Sequence, residues 1–494
     1  MKRISSQLAV NVLLIVFQVS AIIYFSVCLY SYSDMLKKIL HIIGLLAALK
    51  IIFSSKNPSF KIIWTVILLE FPVVSLIIYA FADIERKRTE KYKSVCSTDD
   101  KSVSEALLNQ DRRAYSIYKY INNVSGSAVY RNTSVQFFSC GEIFLENYLC
   151  ELKKAEKSIF MEYFIIGKGY VWDKVLEILK EKSVSGKDVR IIYDGLGTVN
   201  CFNHGYFRNL SEYGIKTVCA NPFQPIVNTL FSSHDHRKIT VIDNRIAYTG
   251  GINLSDEYMN IRQPYGYWKD YAFKFCGDAV QQFSEMFINS WKFFSSSRYD
   301  FPLHSETDAK ENDGFIVPFA DVPYKRNPVG KSSYMQIIQG AERYVYIVTP
   351  YLVLDSEMIS LLRQKSLSGI DVRIITPHIP DKKYVFTVTR SNYNILIESG
   401  VRIFEYKYGF VHAKAVISDD DYAISGTVNF DFRSFHMLFE NSVFIYKSKA
   451  LYPLKADFIR LMHESIEIDD RFFKNLPWYQ RIICSLLKFF SSLM

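Results

Sequence analysis

Two stretches of this chain are copies of one another, and that repeat limits the fold more than any other feature. SVSGKDVRIIYDG begins at Ser183 and SLSGIDVRIITPH at Ser366. Each follows an amphipathic helical pattern, VWDKVLEILKEK in the first copy and SEMISLLRQK in the second. In both, glycine ends the helix and a β-branched apolar run opens a strand. Upstream, AEKSIFMEYFII from Ala155 matches AERYVYIVTPYLV from Ala341; downstream, SEYGIKTVCA matches ESGVRIFEYK. The recurring β-α-β order predicts an α/β fold with largely parallel strands. Two copies in tandem predict two lobes related by a pseudo-twofold axis.

Each copy carries one further strand-like motif. HDHRKITVIDNRIAYTGGINLSDEY holds His236, Lys238 and Asp243; HAKAVISDDDYAISGTVNFDFRSF holds His412, Lys414 and Asp419. The spacing His-x-Lys-x-x-x-x-Asp is the same in both, as is the spacing onward to Asn253 and Asn429. Alternation in an extended segment puts His and Lys on one face. There, Lys holds a phosphate oxygen as a point charge, and His attacks phosphorus or moves a proton. The Asn amides are candidate phosphate donors. Displacement at a phosphodiester needs one group to attack and another to protonate the leaving oxygen, so a single motif supplies half of a site. A twofold pairing brings two His, two Lys and two Asn around one phosphate and stabilises its charge without a metal. One such motif in a long chain is weak evidence. Two, at matching places of an internal repeat, are not an ordinary pair of buried strands.

The N-terminal part is of another kind. Leu8 to Tyr30 carries no charge and is long enough to cross a bilayer; it is too long for a signal peptide, and no small-residue cleavage site follows. Ile39 to Phe53 is shorter and holds His41 and Lys50, and Phe60 to Ala82 is again of spanning length. Within it, Glu70 is expected to face another helix or to be protonated, and Pro72 to kink the helix. The following Arg86, Lys87, Arg88, Lys91 and Lys93 place the rest of the chain in the cytoplasm by the positive-inside rule, or hold anionic head groups. The expected division is therefore 1–83 as two or three transmembrane helices, 84–135 as a connector with helical periodicity from Ser104 to Ile121, 136–300 as the first lobe, 301–330 as a linker and 331–494 as the second lobe. The final PWYQRIICSLLKFFSSLM reads as a helix packed on the second lobe or dipping into the bilayer interface. The net charge of +9 suits an anionic partner, lipid surface or nucleic acid, without choosing between them. The eight cysteines form no Cys-x-x-Cys pair and no zinc-spaced cluster, so reduced thiols are expected and a structural metal is not.

With these residues in view, the chain resembles the phospholipase D superfamily, and most closely its bacterial cardiolipin synthase branch. The likeness covers nearly the whole sequence: NPSFKIIWTVILLEFPVVSLIIYAF, MEYFII, VTPYLV, the DHRK and GGIN elements, and GFVHAK with GTVNFDFRSF. The resemblance implies two phospholipase D-like lobes forming one centre, with no cofactor. It also implies phosphatidyl transfer between two molecules of phosphatidylglycerol through a phosphohistidine, giving cardiolipin and glycerol. It makes His236 the nucleophile and His412 the acid and then the base, an order that the residues themselves leave open. It further implies carboxylates that orient each imidazole: Glu440 in FENSV, and Asp270 in YWKD for the first half. Asp243 and Asp419 are expected to be structural partners within their motifs. The partners implied are phosphatidylglycerol and the bilayer, and no nucleic acid.

Other residues are ambiguous. His234 reads as a polar loop residue, and His436 is assigned no role. Arg390 and Arg433 reach lipid phosphate or form surface ion pairs. A membrane-bound hydrolase of the same superfamily, phospholipase or nuclease, would share every catalytic residue and differ only in the attacking group. A scaffold with a relic site is the remaining class, and the completeness of both motifs argues against it.

Overall fold

The computed structural model describes residues 33–54, 58–92, 100–199, 201–202, 205–222, 233–295 and 312–469, with scattered positions between 17 and 28 and Leu487. Each copy of the repeat builds one mixed sheet. The first lobe contains β1 (Thr133–Phe138), β2 (Ser158–Tyr163), β3 (Asp188–Asp194), β4 (Lys216–Ala220), β5 (Lys238–Ile242), β6 (Ile246–Gly250), β7 (Tyr267–Lys269) and β8 (Ala272–Gly277). Its sheet runs β1-β8-β6-β5-β2-β3-β4. The second lobe contains β9 (Phe315–Asp321), β10 (Tyr344–Val348), β11 (Leu352–Val353), β12 (Asp371–Pro377), β13 (Arg402–Tyr406), β14 (Gly409–Val411), β15 (Ala415–Ser418), β16 (Tyr422–Gly426), β17 (Phe430–Asp431), β18 (Glu440–Tyr446) and β19 (Ser465–Ile468). Its sheet repeats the order as β9-β18-β16-β15-β10-β12-β13 and adds β19 at the edge. The second sheet thus begins inside the stretch expected to be linker, of which 301–311 lies outside the described residues.

Only part of each sheet is parallel. β2, β3 and β4 run together, as do β10, β12 and β13. β5, β6, β8 and β1 alternate in direction, as do β15, β16, β18 and β9. The expectation of largely parallel strands therefore fails in the half of each sheet that carries the motif. In each copy one of these reversals is a three-residue turn, joining β5 to β6 and β15 to β16 between the pairs Ile242–Ile246 and Ser418–Tyr422. Asp243 and Asn244 adopt φ of 53° and 55°, and Asp419 and Asp420 φ of 54° and 71°, the left-handed values that Asn and Asp tolerate best. Such a turn reverses the chain, where a parallel neighbour would need a crossover.

The faces of the two sheets meet over a shared core. Phe160, Ile239, Val241 and Phe275 of the first sheet pack with Val348, Ile375, Ala415 and Ile445 of the second, together with the helices Val280–Ser295 and Leu451–His463. The expected connector is not a free link. Its helices Lys101–Gln110 and Arg112–Ser125 bury Leu107, Ala114, Ile117, Tyr118 and Ile121 in the core of the second lobe. The spacing Ala114, Ile117, Tyr118, Ile121 is one helical stripe, which explains why this short helix docks.

N-terminal to it lie the helices Asp34–Ile52, Pro58–Glu70 and Pro72–Thr89. No helix among the described residues is long and apolar enough to cross a membrane. The expected span Phe60–Ala82 is broken at Phe71, whose φ of −130° and ψ of 63° are not helical. Proline disfavours the helical conformation in the residue before it and supplies no N–H, so a new helix starts at Pro72. Glu70 is exposed at the end of its helix rather than facing a neighbour. Most of Leu8–Tyr30 lies outside the described residues, as does the C-terminal segment apart from Leu487, which packs against the cluster of Val353, Val385 and Val388. Helix Pro72–Thr89 reaches the first lobe: Ser233 N–H donates to Glu85 at 3.2 Å, and Arg88 to Asn221 at 2.7 Å. Arg86, Lys87 and Arg88 are all paired with acids of the same stretch, Asp83, Glu85 and Glu90.

Candidate active site

The two His-x-Lys motifs meet where the lobes meet, and each is held by the other lobe. His236 N–H donates to Phe439 O at 2.9 Å, and His412 N–H donates to Lys269 O at 2.7 Å. The next residue after each acceptor is the carboxylate that takes the ring. His236 Nδ1 lies 2.9 Å from Glu440 Oε2, and His412 Nδ1 lies 2.6 Å from Asp270 Oδ2. β7 and β14 pair in parallel across the same boundary. With Nδ1 held by a carboxylate, each imidazole keeps Nε2 for chemistry, as a lone pair on the ring that attacks and as N–H on the ring that gives a proton. Asp270 and Glu440 are thus crossed: the first lobe's acid serves the second lobe's histidine, and the reverse.

Electrostatics separates the two acids. Burial would raise Asp270, but His412 and Lys414 beside it hold it below the usual carboxylate range. Burial pushes Glu440 well above that range, against the pull of Lys238. Burial, with the cations of Lys238 and Lys414, brings His236 well below 6.5. Burial and Lys414 bring His412 to about 4 even with Asp270 opposing. Burial also lowers the lysines, Lys238 to about 7 and Lys414 to about 8, against the pull of Glu440 and Asp270. Each lysine folds back on its own motif, Lys238 Nζ donating to His236 O at 2.5 Å and Lys414 Nζ to His412 O.

Both imidazoles open into one cavity of about 1050 Å³ between the lobes. Phe164 stands edge-on to His236 at 5.2 Å between centroids, and Tyr258 edge-on to His412 at 5.4 Å. The arrangement puts two imidazoles, each oriented by an acid, on a volume able to take a phosphodiester, while Lys238 and Lys414, expected at the phosphate, are buried and do not line it.

Comparison with known proteins agrees with this geometry. The family model described as "Cardiolipin synthase, PLD-like domain" matches residues 148–291 and 334–462, once in each lobe. The chain belongs to this family. A protein of Streptococcus mutans is 38% identical over 82% of this chain and 90% of its own length. The cardiolipin synthase of Geobacillus kaustophilus is 30% identical over 90% of this chain and 91% of its own. Among solved structures, the phosphatidylserine synthase of Haemophilus influenzae covers 77% of this chain and 100% of its own with a TM-score of 0.56; at 15% identity it shares the fold.

Not every expected site residue reaches the cavity. Asp243 accepts the backbone N–H groups of Glu156, Lys157 and Ser158 at 2.7 Å each. Asp419 does the same for Glu342, Arg343 and Tyr344 at 2.9 to 3.1 Å, and takes Arg113 at 2.7 Å. Both stand at the turn end of their strands, outside the cavity lining. Asn429 lines the cavity and donates to Ser434 Oγ at 3.1 Å. Asn253 does not line it; its amide joins Ile165 N–H at 3.0 Å and Tyr258 OH at 2.7 Å. His234 lies in a loop as expected, but buried, on the cavity wall and 3.4 Å from Asp194. Arg390 is turned to Glu405 at 2.6 Å, whereas Arg433 lines the cavity.

Phe164, Tyr258, Trp268, Tyr351, Lys382, Glu257 and Arg262 also line the cavity without having been singled out from sequence. Several sit in or beside quoted elements: Phe164 in MEYFII, Tyr351 in VTPYLV, Trp268 two residues before Asp270. Their adjacency to the repeat was the available signal. Gly251 of GGIN has a steric reason, because a Cβ there would come within 2.0 Å of Asp270 Oδ1.

Proposed function

We propose that this protein is a cardiolipin synthase that moves a phosphatidyl group from one phosphatidylglycerol to another. The carrying observation is the pair of imidazoles on one cavity, each with its Nδ1 held by the opposite lobe's acid. In the first step Nε2 of one histidine attacks phosphorus, the bond to glycerol breaks, and the other histidine, which enters the step as imidazolium, gives the leaving oxygen its Nε2 proton. In the second, the hydroxyl of another phosphatidylglycerol attacks the phosphohistidine. The P–N bond breaks, its electron pair returns to the ring, and the hydroxyl proton passes to the second histidine.

The acids favour one order. Asp270 opposes the burial and the Lys414 charge that lower His412, and so favours a proton there, which suits the proton carrier, whereas His236 is lowered further and suits the nucleophile. Lys238 and Lys414 hold the phosphate oxygens, with Asn429 beside them. Asn253, Asp243 and Asp419 act at one remove, by fixing the loops that present the motifs. Membrane attachment belongs to the same reading. Ile42, Leu46, Leu49, Ile62 and Val66 leave apolar side chains exposed on the N-terminal helices, and Leu8–Tyr30 is uncharged. The basic stretch after Ile84 supports a multi-pass anchor with the catalytic lobes on the cytoplasmic side.

The test is to give the purified protein phosphatidylglycerol in vesicles and follow glycerol, cardiolipin and phosphatidate. Equal amounts of glycerol and cardiolipin are expected, with turnover abolished in both His236→Ala and His412→Ala. Phosphatidate without cardiolipin would make the protein a hydrolase, and turnover surviving in both variants would remove the mechanism.

A further inference from the structure

The two lobes offer the cavity opposite charge at matching positions. Four residues after Asn253 stands Glu257; four after Asn429 stands Arg433; both line the cavity. On the first-lobe side Glu257 accepts the Ser255 hydroxyl at 2.6 Å and lies 3.5 Å from Arg262, which also approaches Asp256 at 3.7 Å. That wall is internally neutralised. On the second-lobe side Lys382 joins Arg433, and both cations act on the carboxyl of Asp431. The charge of Lys382 also reaches His236. Lys382 is exposed, makes no ion pair with the described residues, and stands 5.6 Å from the centre of the Tyr351 ring. It caps the N-terminus of the helix Lys383–Ser391, whose first amides have no side-chain acceptor and add positive character. Two acids share this wall and hold neutral donors, Asp381 the Tyr351 hydroxyl at 2.6 Å and Asp431 Ser434 N–H at 2.7 Å, so that Lys382 is the cation left without an ion pair among the described residues.

A transfer between two phosphatidylglycerols brings two phosphate anions into one cavity. Lys238 and Lys414 serve the one that reacts. The other sits three carbons from the attacking hydroxyl and must lie toward the mouth, where an unpaired anion beside the first would be repelled. We propose that Lys382 and Arg433 form the subsite for the acceptor lipid's phosphate, so that the second lobe selects an anionic phosphatidyl alcohol in preference to water. This deepens the transferase reading and rests on it.

The test uses the full-length protein in vesicles of phosphatidylglycerol diluted in phosphatidylcholine, reading glycerol release and the ratio of cardiolipin to phosphatidate. In Lys382→Gln with Arg433→Gln the ratio should fall about tenfold or more while the first-turnover burst of glycerol stays within about threefold, because the first half-reaction does not use the subsite. Lys382→Arg should keep the ratio, and Lys383→Gln, outside the cavity lining, should change neither reading. An unchanged ratio in the double variant, or a parallel loss of both readings, overturns the subsite. If the unmodified protein gives phosphatidate and no cardiolipin, the transferase reading itself falls, which the variants cannot mimic.

Discussion

The two lobes have the same strand order and the same catalytic geometry, yet what lies under each motif differs. In the first lobe Glu162, Asp194, Asp235 and Arg237 are buried beneath His236. Arg237 donates to the Tyr92 hydroxyl, to Ser290 Oγ, and to the carbonyls of Glu440 and Asp321. It also lies 3.5 Å from Glu162. At the matching positions the second lobe has Val348, Pro377, Val411 and Ala413, an apolar support. Identical backbones thus tolerate either kind of support. The ionic version adds a function: it joins the first motif to the segment after the helix Pro72–Thr89 through Tyr92, to the helix Val280–Ser295 through Ser290, and to the second lobe.

The sharpest break in this comparison is Arg237→Leu, which strands Glu162 and Asp235 without their cation. It should destabilise the fold by about 3–5 kcal/mol in a urea titration. The combined change Glu162→Val, Asp235→Val, Arg237→Ala, which gives the first lobe the second lobe's apolar support, should recover most of that loss. If the triple variant is as unstable as the single one, the ionic network is structural in its own right and the lobes are not interchangeable.

The crossed acids provide the next contrast. Asp270→Asn should lower kcat about 10²-fold by removing the anion that orients His412, whereas Glu440→Gln, replacing an acid already driven toward neutrality, should cost about tenfold or less. Equal losses would contradict the assigned order of nucleophile and acid.

Acid sensitivity follows from His412. Its folded value of about 4 lies below the 6.5 of the unfolded chain, so between these values the unfolded chain binds more protons and stability falls as pH is lowered. The urea midpoint of His412→Gln should fall less than that of the unmodified protein between pH 6.5 and 4. The smallest effect expected is that of Tyr92→Phe, which deletes the hydroxyl at 3.1 Å from Arg237 while keeping the ring against Phe293 and Phe439, at about 1 kcal/mol.

Much of this architecture was legible in sequence because a repeat is compared with itself. The matching runs after Ser183 and Ser366 identified β3 and β12, and the spacing of His, Lys and Asn located both motifs. Strand direction was missed because a β-rich run looks the same either way along the sheet; the informative residues were the turn formers Asp243-Asn244 and Asp419-Asp420. The docking of the helix Arg112–Ser125 was missed for a related reason, since its apolar stripe says that it packs but not on which lobe. Asp270 and Glu440 came from the family resemblance, through YWKD and FENSV. Their crossing did not, because order along a chain carries no record of which imidazole a carboxylate will meet across an interface.

That crossing has a consequence for the timing of activity during synthesis. A nascent chain still short of Glu440 already holds the whole first motif, but its imidazole has neither its acid nor the Phe439 carbonyl that fixes its backbone. The second motif, emerging earlier than that acid, would find Asp270 waiting and yet lack a competent partner ring. Neither half can work ahead of the other, so an unfinished copy is disarmed until almost all of its catalytic domain has left the ribosome.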